Sequence, residues 1–254
     1  MAVGAVAAQP AVEVFAAGSL RGAMTELAQA FEKERGTSVH FSFGASGLLK
    51  DRIAVGERAD VFASANMAHP QALAAAGLAG PVQVFARNSL CVLAAPGFAL
   101  QGRTLARRLL DADVKLGTST PKADPSGDYA FEMFDRIEAS AAGAPGSAAA
   151  LKAKALQLTG GPNSPQPPAG RNVYGVLIAE GRVDAFVTYC TNARQAQREQ
   201  ASLQVLAVPD SINVAADYGL TVLRSAPAPA QAFADFVLAA PGRAILAAHG
   251  FSTP

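Results

Sequence analysis

Short apolar runs alternate with amphipathic stretches along the first third of the chain. Val12-Glu13-Val14-Phe15 reads as a strand, and Ala16-Ala17-Gly18 turns into Ser19, a residue suited to cap a helix. Leu20, Met24, Leu27 and Phe31 then fall on one helical face, with Gly36 placed to end the helix. Residues 39–43 form the next expected strand, and Gly44-Ala45-Ser46-Gly47 leads into a helix over 48–53. A third strand is expected at 60–64, with Asn66 able to cap a helix running to Ala76. This βαβαβα order predicts a parallel sheet with helices on both faces.

Farther along, residues 82–95 contain two β-like runs around Arg87-Asn88-Ser89. Strands are expected at 115–118, 184–189, 203–208 and 218–223, and helices at 129–139, 148–158 and 173–180. The chain closes on amphipathic helices carrying Phe233, Phe236 and Val237, then residues 243–248. Residues 159–170 hold four prolines and are expected to form a loop. There is no internal repeat and no heptad run. Two α/β lobes fit this order better than one large sheet.

Composition narrows the function classes. The 254 residues are 50% hydrophobic, which argues against wholesale disorder. No stretch reaches the roughly 18 uninterrupted apolar residues of a membrane span, because Pro96-Gly97 and the segment from Pro241 break the two longest runs. A soluble globular protein is therefore expected, without membrane insertion of its own. Lys+Arg total 21 against 20 Asp+Glu, so no basic excess is available to neutralise nucleic-acid phosphates. Residues 1–10 read as a signal remnant or a flexible start: Ala5-Val6-Ala7 resembles a signal-peptidase site, yet no Lys or Arg precedes it. Cys91 and Cys190 lack metal-ligand spacing, and two buried free thiols are expected ahead of a single disulfide.

Three strand-to-helix turns concentrate the candidate chemistry. Ser19, Ser46 and, within Pro125-Ser126-Gly127-Asp128-Tyr129, Ser126 each place a hydroxyl at a helix start, where free N–H groups and partial positive charge favour an anion. Ordinary capping would use the same residues, but three such turns suggest a convergent cleft. Enzyme signatures are poor. His40, His69 and His249 lie far apart, Gly44-Ala45-Ser46-Gly47-Leu48 is not a nucleophile elbow, and no phosphate-binding loop or zinc motif occurs. A hydrolase using Ser19 or Ser46 as nucleophile would need a histidine within reach. A non-enzymatic protein without a cofactor is expected.

Taken in order, Val14-Phe15-Ala16-Ala17-Gly18-Ser19-Leu20, Phe43-Gly44-Ala45-Ser46-Gly47 and Ala59-Asp60-Val61-Phe62-Ala63-Ser64-Ala65 strongly resemble the molybdate-binding periplasmic proteins of ABC importers. The likeness continues through Asn88-Ser89-Leu90, the Pro125 turn, Val173-Tyr174-Gly175 and Val187-Thr188-Tyr189, and closes on His249-Gly250-Phe251. It spans about residues 11–254. The resemblance implies an α/β, two-lobed periplasmic-binding-protein fold of type II, each lobe a mixed, mostly parallel sheet flanked by helices. Lobe 1 would be 11–88 plus 217–254, and lobe 2 would be 89–216. It further implies a periplasmic monomer that captures molybdate or tungstate and delivers it to an ABC permease. The oxyanion would be held by the Ser19 and Ser46 hydroxyls, amides around Ser126 and Val173, and the Tyr189 hydroxyl, with no metal beyond the molybdate or tungstate itself. A regulator using the same effector fold is disfavoured, since no helix-turn-helix segment remains after the two lobes.

Hydroxyls and amides alone would favour a fully deprotonated tetrahedral anion, because a protonated one would bring a donor to a site made of donors. Three departures from the family pattern bear on the ligand. The Pro-rich segment 159–170 looks like an insertion at the cleft mouth. Arg171 and Asn172 replace expected acidic residues, and Arg171 in the cleft would suit another small anion or carboxylate. Ser126 and Cys190 replace smaller residues and would narrow the site.

Overall fold

A computed structural model describes residues 10–165 and 170–254. In chain order the elements are β1 (Val12–Ala17), α1 (Arg21–Arg35), β2 (Val39–Gly44), α2 (Ser46–Ala54), β3 (Val61–Ser64), α3 (Ala68–Ala75) and the long β4 (Gln83–Ala94). There follow α4 (Leu105–Leu110), β5 (Leu116–Ser119), α5 (Pro125–Ala139), α6 (Ser147–Lys154), β6 (Leu156–Thr159), α7 (Val173–Ala179), β7 (Ala185–Tyr189) and α8 (Cys190–Glu199). The last elements are β8 (Gln204–Ala207), β9 (Ala215–Val222), α9 (Ala228–Leu238) and α10 (Ala240–Ala248).

The strands are ordered β2-β1-β3-β9-β4-β7-β5-β6, with β8 paired to β4. The flanks of this order, β2-β1-β3 and β7-β5-β6, are parallel, and β9 and β4 pair antiparallel with their neighbours in the middle. β4 belongs to both halves of the molecule. Its residues 83–89 pair with β9, and its residues 90–94 pair with β7 and β8. The chain therefore leaves the first half along β4 and returns between β8 and β9, which makes two lobes with a cleft between them.

Each half has its own reason to be dry. β1 and β3 are covered on both faces, and Val14, Ala16, Val61 and Ala63 are fully buried, as parallel strands between helices require. On one side α1 packs Leu20, Met24, Leu27 and Phe31 inward, and Phe31 meets Phe233 of α9 edge-to-face at 5.3 Å between ring centres. In the other half α5 buries Met133, Phe134 and Ile137 in one core with Leu116 and Val187.

Several sequence expectations are corrected. The two runs at 82–95 are one strand, since Arg87-Asn88-Ser89 stays in register with Asp217, Ala216 and Ala215 of β9. The helix expected over 148–158 stops at Lys154, and β6 then takes the sheet edge beside β5, where pairing outweighs the local helical pattern. Two helices, α4 and α8, were not among the expected elements; α8 is amphipathic but strongly polar overall, and its buried side includes only small apolar residues such as Cys190, Ala193 and Ala196. Ser19 does not cap α1 with its side chain but lies in a short 3-10 turn over Gly18–Leu20. In the 159–170 segment, Thr159 ends β6 and 160–165 are irregular, while 166–169 and the start at 1–9 lie outside the described residues.

Cys91 and Cys190 are joined in a disulfide, not free. The antiparallel register sets Cys91 opposite Thr188, so Cys190 is its diagonal neighbour across the ladder, with the Cα atoms 4.7 Å apart. That pairing is non-local, which is why a spacing of 99 residues carried no sign of it. Among the described residues, no helix is long and apolar enough to cross a membrane.

Candidate functional site

A cleft of about 380 Å³ opens between the two halves, and Ser19, Ser46, Ser126, Val173 and Tyr189 all line it. Five residues spread over 171 positions thus converge because each follows a strand or starts a helix at the same edge of the sheet. Ser19 follows β1, Ser46 starts α2 after β2, and Ser126 lies in the first turn of α5 after β5. Val173 starts α7 and Tyr189 ends β7. The carboxyl ends of parallel strands are where open α/β sheets place ligands.

The hydroxyls are arranged with protons to spare. Ser46, buried, accepts from the Ala65 N–H at 3.0 Å, so its own proton is uncommitted. Tyr218 Oη lies 3.0 Å from Ser19 Oγ and accepts from Asn88 Nδ2 at 3.3 Å. Either oxygen of the Ser19–Tyr218 pair can donate, and with the phenol as donor the Ser19 proton is left for the cleft. Ser126 Oγ is buried with no partner among the described residues, an arrangement that calls for a ligand or water. Tyr189 donates to the Ala65 carbonyl at 3.3 Å. Burial pushes the phenols of Tyr189 and Tyr218 well above their ordinary values and that of Tyr174 up to about 12, so all three remain neutral donors.

The amides are less available than the turns suggested. The Ser126 N–H donates to Asp124 Oδ1 at 3.1 Å, so the first turn of α5 is capped by its own lead-in. Asn172 takes the Tyr174 and Gly175 amides at 3.1 and 3.3 Å, but not that of Val173. The Gly47 N–H donates to the Ala123 carbonyl at 2.9 Å, a bond that crosses from one cleft wall to the other.

Asp124 corrects the reading of the site as donors only. Its carboxyl lines the cleft, and burial raises it to about 6. A carboxyl whose folded value lies above its unfolded one contributes stability at low pH and loses it as the pH climbs toward 6. Asp124→Asn is therefore expected to raise the melting temperature of the free protein at pH 7.5, by several degrees, with the gain gone at pH 4. Equal melting temperatures at both pH values would show that the carboxyl carries no such cost. Asp124, Tyr218 and Asn88 were not chosen from the sequence. An aspartate before Pro-Ser reads as a helix cap, which it also is, and Tyr218 sits in a strand, where a tyrosine is ordinarily packing.

Three arginines lie on the wall. Arg21 stacks on Phe43 at 4.4 Å, and Arg52 stacks on Phe15 at 4.5 Å while pairing with Glu57. Arg171 is exposed and lines the cleft at the end of the Pro-rich segment. Cys190, expected to narrow the site, does not line it, because its sulfur is turned to Cys91. Among the described residues no histidine lines the cleft; His40 pairs with Glu13 at 3.1 Å and His249 with Glu26 at 2.8 Å.

A two-lobed fold with a hydroxyl-lined cleft at the strand ends defines a class of capture proteins, and comparison with known proteins agrees. The chain belongs to the bacterial extracellular solute-binding protein family, which matches residues 12–252. It is 38% identical over 210 residues to an uncharacterized Pasteurella multocida protein, PM1146, covering 82% of this chain and 86% of that one. It is 30% identical over 247 residues to the molybdate-binding protein ModA of Mycobacterium tuberculosis, covering 96% and 85%. Among solved structures, the sulfate-binding protein SubI of the same organism superposes with a TM-score of 0.79 at 17% identity, covering 96% of this chain and 87% of that one. The fold is thus the type II periplasmic-binding-protein fold, and the family is one of binding proteins, not enzymes. Membership implies an extracytoplasmic location.

Proposed function

We propose that this protein captures a tetrahedral oxyanion, molybdate or tungstate, in the periplasm and hands it to an ABC permease, acting as a monomer. Lobe 1 would comprise 11–88 and 217–254, and lobe 2 would comprise 89–216. The observation that carries this reading is the convergence of Ser19, Ser46, Ser126 and Tyr189 on one cleft, with the Ser46 and Ser126 hydroxyl protons uncommitted among the described residues. The molybdate-binding relative supports the choice of anion. The disulfide fits an oxidising compartment.

A dianion taken from water needs several oriented donors, since its desolvation is costly; besides the hydroxyls, Arg21 on the wall and Arg171 at the mouth line the same cleft. Each hydrogen bond to a charged group contributes about 1.5–3 kcal/mol, so deleting one should cost roughly tenfold or more in affinity. Ser46→Ala and Tyr189→Phe are expected to weaken binding by at least that factor in calorimetry against molybdate, tungstate, sulfate and phosphate. Unchanged affinity in both variants would move the site elsewhere, and silence toward all four anions would end the oxyanion reading. The position of Arg171 favours a second reading, an anion or carboxylate with an organic substituent; a response to such ligands in place of the four inorganic anions would select it.

A further inference from the structure

Asp124 is a carboxylate on the wall of a cleft that otherwise offers hydroxyls, amides and, at its mouth, arginine. Its placement is fixed from two sides. Oδ1 accepts the Ser126 amide, and Gly160, at φ +72°, packs so closely that a side-chain carbon there would collide with the carboxyl. The unpartnered Ser126 hydroxyl is two residues away in the same helix turn. The groups facing Asp124 are Ser119 from β5, Tyr174 from α7, Tyr189 from β7, Tyr218 from β9 and Asp128 on its own helix. None of them is a cation. Arg21 and Arg52 are engaged with aromatic rings, and Arg171 is exposed at the mouth.

Among the described residues no cation pairs with Asp124, so an anion bound beside it meets a second negative charge at close range, a repulsion that a proton arriving with the anion removes. We propose that the cleft binds its oxyanion together with one proton, held between the Asp124 carboxyl and an oxygen of the anion. With a dianion such as molybdate the proton resides on Asp124, which then donates like the serines. With an anion that brings its own proton, the same oxygen pair is bridged from the ligand side. Asp124 is thereby a specificity-determining residue, setting the protonation state the site accepts. The inference rests on the oxyanion reading above.

The burial that raises the Asp124 carboxyl to about 6 puts the test window just above that value. His69, the histidine nearest the helix of Asp128, is pushed below its ordinary value by burial and Lys50, so it stays neutral in that window. Calorimetry with molybdate from pH 6.5 to 8.5, in two buffers of different ionisation enthalpy, reads both affinity and protons. The wild type is expected to lose about tenfold in affinity per pH unit between 7 and 8.5 and to take up about one proton per anion. Asp124→Asn keeps the acceptor for the Ser126 amide and presents an N–H in place of the carboxyl proton. It should bind without pH dependence, and at pH 8.5 at least tenfold more tightly than the wild type. A flat wild-type profile without proton uptake, or an Asn variant weaker than wild type at pH 8.5, overturns the proposal. If neither protein binds molybdate, tungstate, sulfate or phosphate at any pH, the oxyanion reading itself fails and this inference falls with it.

Discussion

Replacing Gly47 by alanine is expected to lower oxyanion affinity by at least a hundredfold, with a much smaller effect on the stability of the free protein. A Cβ at Gly47 would stand 2.6 Å from the Lys122 carbonyl oxygen and 2.7 Å from that of Ala123, both backbone atoms across the cleft. Neither can swing away as a side-chain tip would. The wall would have to retreat, and the Gly47–Ala123 hydrogen bond would open with it. Within its own helix α2, by contrast, Gly47 gains from alanine, by up to about 1 kcal/mol of helix propensity. The unequal sizes of the two effects make the test sharp. A variant with little-changed melting temperature and lost binding locates the defect in closure, whereas wild-type affinity would mean that the cleft works without this contact.

Removing the disulfide should give the largest loss of stability available from two side chains. It closes a loop of 99 residues running from β4 to the end of β7. Loop-closure entropy for such a span is worth about 4–5 kcal/mol, and measured bridges fall in a range of about 2–5. For a chain of this size each kcal/mol moves the melting temperature by about 2–4 °C, so reduction, or Cys91→Ala with Cys190→Ala, should lower it by roughly 5–15 °C. A reduced protein that melts with the oxidised one would show that the ladder between Leu90 and Tyr189 needs no covalent help.

The three serine turns were legible because the sequence states them locally: an apolar strand, a small-residue turn, then a helical stripe. Their meeting at one cleft was suggested by the recurrence of the turn and made specific by the family likeness, since no local pattern says which strands neighbour each other. What stayed hidden has a common cause. The Cys91–Cys190 bond, the Ser19–Tyr218 contact and the Asn88–Thr191 bond each join residues about a hundred or more positions apart, and none follows from spacing. Asp124 was hidden differently. Its role as a cap explains it fully at the sequence level, and only the folded structure shows that the same residue lines the cleft.

β4 limits how the protein can move. Ser89 is in register with Ala215 and the next residue, Leu90, with Tyr189, so the two halves are consecutive lengths of one hydrogen-bonded ribbon. Sliding one half past the other would shear this ladder, whereas twisting or bending the ribbon preserves it. A swing of the wall carrying Tyr189 would thus pivot near the junction of Ser89 and Leu90. Gly47 and Ala123, hydrogen-bonded from opposite walls, are the pair whose separation would report opening.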